Sequence, residues 1–208
     1  MSEHKFIVGR FFNLIMPQSG MVPVLGNFMR PNPILMTIQE STGMLTKTSN
    51  VVVGPPSLKA HRNFQWLHWV PGAICEVIDN NVDVLTGPMS GCWMTRYQRN
   101  GECIGHVGTS DDPQKTLAAK AGWNAFARAN PLQIIGGFKP EWPRGNSNLW
   151  KAGDGLTPRT FGLLSNSIFY TVFTYPQVTP AGLTIPGLHR IAGVKLEISA
   201  HIVQIQNI

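Results

Sequence analysis

Two side chains in the middle of this chain have the types and spacing of a thiol–base pair. Cys92 follows the short Ser90-Gly91 step, and His106 lies fourteen residues later. A cysteine is a nucleophile as its thiolate, and an imidazole is the side chain best suited to take the proton near neutral pH. Between them stands Asn100-Gly101, a hairpin signal flanked by strand-forming residues. A hairpin folds the stretch 86–109, TGPMSGCWMTRYQRNGECIGHVGT, back on itself, so its two ends can meet. Gly91 permits a tight backbone approach beside the cysteine and Ser90 is small, which makes the Ser90-Gly91 backbone a candidate oxyanion hole. Thr86 is a candidate to orient the imidazole, by its hydroxyl or its carbonyl. The expected site is therefore Cys92 as nucleophile, His106 as base and Thr86 as the orienting group. The acids nearby act in two directions: beside the imidazole they keep it cationic and lower the thiol pKa, and beside the thiol they raise it.

The hairpin register decides whether this pair can form. With Asn100-Gly101 as a two-residue turn, His106 faces Thr95, and Cys92 has the opposite parity to His106. The two side chains would then point to opposite faces. A bulge, a three-residue loop, or Cys92 lying before the regular strand removes the conflict. The last of these is the expected solution.

The surrounding elements read as mostly strands. The hairpin arms are 93–98 and 102–107. Ahead of them, 6–16 is an apolar strand or buried segment, and the Pro- and Gly-punctuated 17–33 reads as loop. Residues 34–39 and 44–48 form a strand pair around a turn at 41–43. The runs 51–53, 64–70 and 73–78 are further short strands, with His68 a half-buried strand residue holding one partner. After the hairpin the period changes. Asp112 suits an N-cap and Pro113 the first helical position, which predicts a helix over 112–129. Its apolar stripe reads as Leu117, Ala118, Ala121, Gly122, Ala125, Phe126 and Ala129. Then come a short strand at 132–135, a long ordered loop at 136–158 anchored by Trp142 and Trp150, and a central strand within 161–175. The segment 191–208 alternates, with Val194, Leu196, Ile198, Ala200 and Ile202 on one side, and predicts a closing half-buried strand. Many strands, one clear helix and long loops predict one domain over 1–208. Its class is α+β, a β-sandwich-like arrangement of mixed, mainly antiparallel sheets with one flanking helix.

Composition narrows the function. Charged residues are only 13%, and no apolar run is long enough for a membrane span. The opening residues are too charged and their apolar run too short for a signal peptide, so a cytoplasmic origin with any delivery by a signal-less route is expected. Three cysteines cannot all pair internally, which suits reduced thiols, and the absence of CxxC spacing argues against zinc. No metal or cofactor is expected. The net charge of +6 is uneven: 76–112 holds six acids and two bases, and the remaining bases are scattered singly. Scattered charge argues against a specific nucleic-acid face and suits a general basic surface or an acidic protein partner.

The segment Met89-Ser90-Gly91-Cys92, with a histidine on the following strand and a threonine six residues before the cysteine, resembles the bacterial toxin glutamine deamidases. These are the cytotoxic necrotizing factor catalytic domain and Burkholderia lethal factor; their motif is Leu-Ser-Gly-Cys, so Met89 is a mild departure. The resemblance covers roughly twenty-five residues. It implies Cys92 as nucleophile, His106 as base, and Thr86 as the orienting residue by its similar place in the lethal factor and in chemotaxis-receptor deamidases. It also implies a β-sandwich fold flanked by helices. The activity it implies is deamidation of a glutamine in a target or host protein through a thioester, by a monomeric toxin or virulence effector. A cysteine peptidase or a transglutaminase would use the same groups. A non-catalytic β-rich binding or structural protein would bury Cys92 as an inert residue.

Overall fold

The computed structural model describes residues 6–43, 47–142, 156–200 and 202–208. Trp150 of the expected loop, and most of the expected return strand over 44–48, lie outside them. In chain order the strands are β1 (Phe11–Leu14), β2 (Met21–Leu25), β3 (Phe28–Pro31), β4 (Leu35–Thr42), β5 (Lys47–Val53), β6 (Asn63–Leu67) and β7 (Ile74–Ile78). They continue with β8 (Asp83–Met89), β9 (Trp93–Gln98), β10 (Glu102–Val107), β11 (Ile134–Phe138), β12 (Arg159–Ser165), β13 (Ile168–Val178) and β14 (Thr184–Glu197). Helix α1 (Pro113–Ala129) follows β10, and a single turn, α2 (Ile202–Ile205), follows β14.

The architecture corrects the sandwich expectation. Eight strands close into a barrel in the order β1-β14-β13-β12-β8-β6-β4-β5, and six form a second sheet in the order β11-β9-β10-β7-β3-β2. Parallel pairing of β1 with β5 closes the barrel, and β6 also runs parallel to β8. Barrel closure removes free edges in a way a sandwich does not. The barrel interior is filled by aromatic and aliphatic side chains, Phe12, Met36, Phe64, Phe161 and Val172 among them. A second apolar cluster lies between the barrel wall and the six-stranded sheet, joining Val84, Leu164 and Phe169 of the barrel to Met94, Ile104 and Cys75 of the sheet. The third lies between the sheet and α1, around Tyr97, Cys103, Val107 and Trp123.

Helix α1 begins where Asp112 caps it: the carboxylate accepts from the N–H groups of Gln114 and Lys115 at 2.9 and 3.3 Å. The face it buries differs from the expected stripe. Ala119, Trp123 and Ala127 are the buried positions, while Leu117 is 68% exposed. Trp123 sets the rotation, because its ring fills the space against Tyr97 (5.2 Å between centroids) and its Nε1–H donates to the Ile205 carbonyl at 2.5 Å.

Three further expectations are corrected. The stretch read as loop contains β2 and β3, since Pro23 and Pro31 occupy strand positions. The central strand expected within 161–175 is present as β13, and a further strand, β12, precedes it across a turn at Asn166 and Ser167, with positive φ at both. The closing segment is not one strand: β14 starts earlier, at Thr184, and ends at Glu197, and Leu196 and Ile198 are exposed. His68 lies just beyond β6, is buried, and leaves its Nε2 without a hydrogen-bond partner among the described residues. Trp142 does anchor its segment, edge-on to Phe173 and Tyr175 at 5.2 and 5.1 Å.

The hairpin β9–β10 has the expected arms, but its loop has three residues. Gln98 pairs with Glu102, and Arg99, Asn100 and Gly101 form the turn, with φ of 54° at Asn100 and 114° at Gly101. The turn is tied to the neighbouring strands by one buried carboxylate. Glu76 of β7 accepts from Arg30 at 2.5 Å, the Tyr97 hydroxyl at 2.7 Å and Arg99 Nε at 3.1 Å, and Arg99 Nη2 adds an ion pair at 2.6 Å. A carboxylate wholly removed from water needs such a complete set of donors.

Candidate active site

The three-residue loop resolves the parity conflict. In the observed register His106 pairs with Met94, not Thr95. Cys92 therefore shares its face with Met94 and His106, and it also stands just before β9, the solution expected from the sequence. The shared face looks toward the barrel, where Cys92, Met94 and Ile104 belong to one apolar cluster. Cys92 occupies the diagonal position to His106 across the strand pair, a relation of about 7–8 Å between backbones.

Thr86 comes to this face from the barrel side. Strand β8 alternates, with Leu85 inside the barrel and Val84 and Thr86 turned toward the sheet. The Thr86 hydroxyl lies 2.6 Å from His106 Nδ1 and 2.7 Å from the Leu67 carbonyl of the parallel neighbour β6. These contacts fix the proton. A carbonyl can only accept, so the single hydroxyl hydrogen goes to Leu67, and Oγ1 accepts from Nδ1–H of His106. The imidazole is then the Nδ1–H tautomer with a lone pair on Nε2. That atom has no hydrogen-bond partner among the described residues. Burial holds the ring neutral and pushes its pKa down to about 3.

After Met89 the chain leaves the barrel and crosses to the sheet through Ser90 and Gly91. The crossing needs glycine: Gly91 has φ +85°, and a Cβ there would lie 3.4 Å from the Thr109 hydroxyl. Among the described residues no loop or turn hydrogen bond uses the N–H of Gly91 or Cys92. The residues ahead of the step are equally constrained, since a Cβ at Gly87 would lie 2.6 Å from the Phe161 ring.

Cys92 is buried, at 2% exposure, and borders a cleft of about 770 Å³ lined also by Trp66, Trp69, Pro88, Ser90 and Thr109, with Asp111, Asp112, Lys115 and Arg159 at its walls. His106 and Thr86 are wholly buried behind it. The structure thus brings Thr86 to His106 and places Cys92 on the same face, but it draws no hydrogen bond from Cys92 to His106. The thiol turns to Thr109, 3.2 Å from its hydroxyl and 3.8 Å from its carbonyl. Thr109 was not among the residues expected from the sequence. Its signal was the register: with Met94 opposite His106, Cys92 falls beside Gly108 and Thr109. A second thiol, Cys75, pairs with His106 across β7–β10, but burial and the neighbouring Glu76 push it up to about 12, so it stays protonated. All three cysteines are free.

Comparison with family models, curated proteins and solved structures found no match for this chain. No helix among the described residues is long and apolar enough to cross a membrane.

Proposed function

We propose that this protein is a glutamine deamidase acting on a protein substrate through a thioester on Cys92. The observation that carries the reading is the Thr86–His106 contact of 2.6 Å, which leaves the Nε2 lone pair without a partner on the face that Cys92 shares. Rotation of the Cys92 side chain from the Thr109 carbonyl toward His106 lets the S–H proton pass to Nε2. The thiolate then attacks the carboxamide carbon of a glutamine reaching in through the cleft. The developing oxyanion is met by backbone N–H groups of the Ser90-Gly91 step and of Cys92 that follows it. The imidazolium, steadied through Nδ1–H by Thr86, protonates the leaving ammonia, and the thioester remains. A water molecule, deprotonated by the now neutral imidazole, attacks the thioester carbon; the C–S bond breaks, glutamate is released, and the sulfur regains its proton.

Burial keeps this histidine neutral and also makes it a weak base, so its protonation depends on the thiolate beside it. A neutral ring is the form that accepts a proton, and the charged form is needed only transiently, beside the thiolate it created. Intact-mass measurement of candidate target proteins is the direct test. The small mass gain of an amide converted to an acid, with the chain uncut and no cross-link formed, is the expected result. A cut chain would assign a peptidase, and a joined product a transglutaminase. No covalent change together with an inert Cys92 would leave a binding protein. In a susceptible cell the wild-type chain is expected to be toxic and Cys92→Ser harmless.

A further inference from the structure

We infer that Thr109 is a further catalytic residue of this site, the hydroxyl that receives the Cys92 thiolate on the cleft side; the role rests on the thiol chemistry proposed above. Thr109 supplies every hydrogen bond the sulfur makes among the described residues. Its hydroxyl also reaches the Ser90 carbonyl at 3.3 Å, and as a carbonyl only accepts, the hydroxyl hydrogen lies there while the thiol is protonated. In that state S–H donates to Thr109.

Breaking the S–H bond reverses the requirement. The proton goes to Nε2 of His106, and the sulfur, now negative, can only accept. The Thr109 carbonyl repels it. Once the sulfur has returned to its observed position, 3.2 Å from the Thr109 hydroxyl, that hydroxyl can swing its hydrogen from Ser90 to the sulfur by rotation about one bond, with no backbone movement. A hydrogen bond to an anion is stronger than the neutral one it replaces.

The surroundings hold Thr109 for this task. Trp69 Nε1–H donates to its carbonyl at 2.9 Å, and the residue is only 8% exposed, so water competes weakly. Charged groups of both signs line the cleft that Cys92 borders. On the cleft side Asp111 and Asp112 oppose the thiolate and Lys115 and Arg159 favour it, while on the sheet side stand His106 and the protonated Cys75. None of them hydrogen-bonds the sulfur among the described residues.

The test is the pH dependence of Cys92 alkylation by iodoacetamide in the full chain, with the site read by peptide mass mapping. Cys75 and Cys103 are wholly buried and pushed up to about 12 and about 11, so they stay silent near neutrality. Thr109→Val is expected to slow alkylation at neutral pH about tenfold and to move its midpoint upward, with Thr109→Ser restoring both. Should the valine crowd Ser90 and unfold the protein, Thr109→Ala gives the same reading without added bulk. A valine or alanine variant that folds and matches the wild-type midpoint and rate overturns the role. A wild-type thiol with an ordinary midpoint, unmoved by His106→Ala, overturns the deamidase reading itself, and this role with it.

Discussion

Among the described residues two threonine–histidine pairs share one design, and one of them has a thiol on its face. In the first, Thr86 donates to the Leu67 carbonyl at 2.7 Å and accepts from His106 Nδ1 at 2.6 Å. In the second, Thr174 contacts the Arg159 carbonyl at 3.4 Å and His189 Nδ1 at 3.2 Å. His106 lies between the barrel and the sheet, wholly buried, on the face of Cys92. His189 lies in the barrel sheet, edge-on to Phe161 at 5.5 Å, with Arg159 as its charged neighbour. A threonine on a backbone carbonyl is thus a general way to fix a ring tautomer. What separates a structural histidine from a candidate base is what its other nitrogen faces.

Substitutions can break this comparison at either pair. Cys92→Ser is expected to have the largest effect, abolishing glutamine turnover while circular dichroism stays native, because the change is nearly isosteric and a hydroxyl ionises far less readily. His106→Ala is expected to cost at least about a hundredfold in turnover. His189→Ala should leave turnover unchanged, and an equal loss at both histidines would end the distinction. Thr86→Val removes the acceptor for Nδ1–H and strands the Leu67 carbonyl. It should slow turnover about tenfold and lower stability by about 1–3 kcal/mol in denaturant melts. Thr174→Val should give a smaller stability loss and no kinetic effect, since its contacts are longer.

The two histidines also predict an acid limb to stability. Burial lowers both folded-state pKa values, to about 3 for His106 and, with help from Arg159, to about 4 for His189; burial lowers His68 as well. Below 6.5 the unfolded chain binds protons that the folded chain refuses. The stabilisation is therefore complete above about 6.5 and lost as pH falls toward the folded values. Thermal melts across this window should show His106→Asn flattening the acid limb more than His189→Asn, because His106 is buried completely. Identical limbs in both variants would equate the two sites.

Parts of this arrangement could be read from the residues alone. The hairpin arms at 93–98 and 102–107 and the Asp112 cap carry local signals, and the structure has them where those signals pointed. The register was off by one because Asn-Gly suits both two-residue and three-residue turns, and the choice depends on Arg99 being drawn to Glu76, far away in sequence. The helix face was misread because small alanines gave a stripe on one side, while one large residue, Trp123, decides the packing. The barrel was invisible for a related reason: its closing contact, β1 with β5, is parallel and non-local, and nothing in either short strand announces its partner. Thr86 stood six residues before the cysteine, and Thr109 was placed beside Cys92 only by the hairpin register.

Closure of the barrel also sets the order in which the candidate site can be assembled. Strand β1 joins the sheet through β14 and β5, so residues near 11 must wait for residues near 190. Strand β8, which carries Thr86, is flanked by β6 and by β12, and β12 is made some seventy residues after it. A chain still emerging from the ribosome therefore holds its thiol and imidazole long before the wall that aims Thr86 at His106 exists. Such a topology, dominated by distant pairings, is expected to fold slowly, with the Thr86–His106 contact formed late.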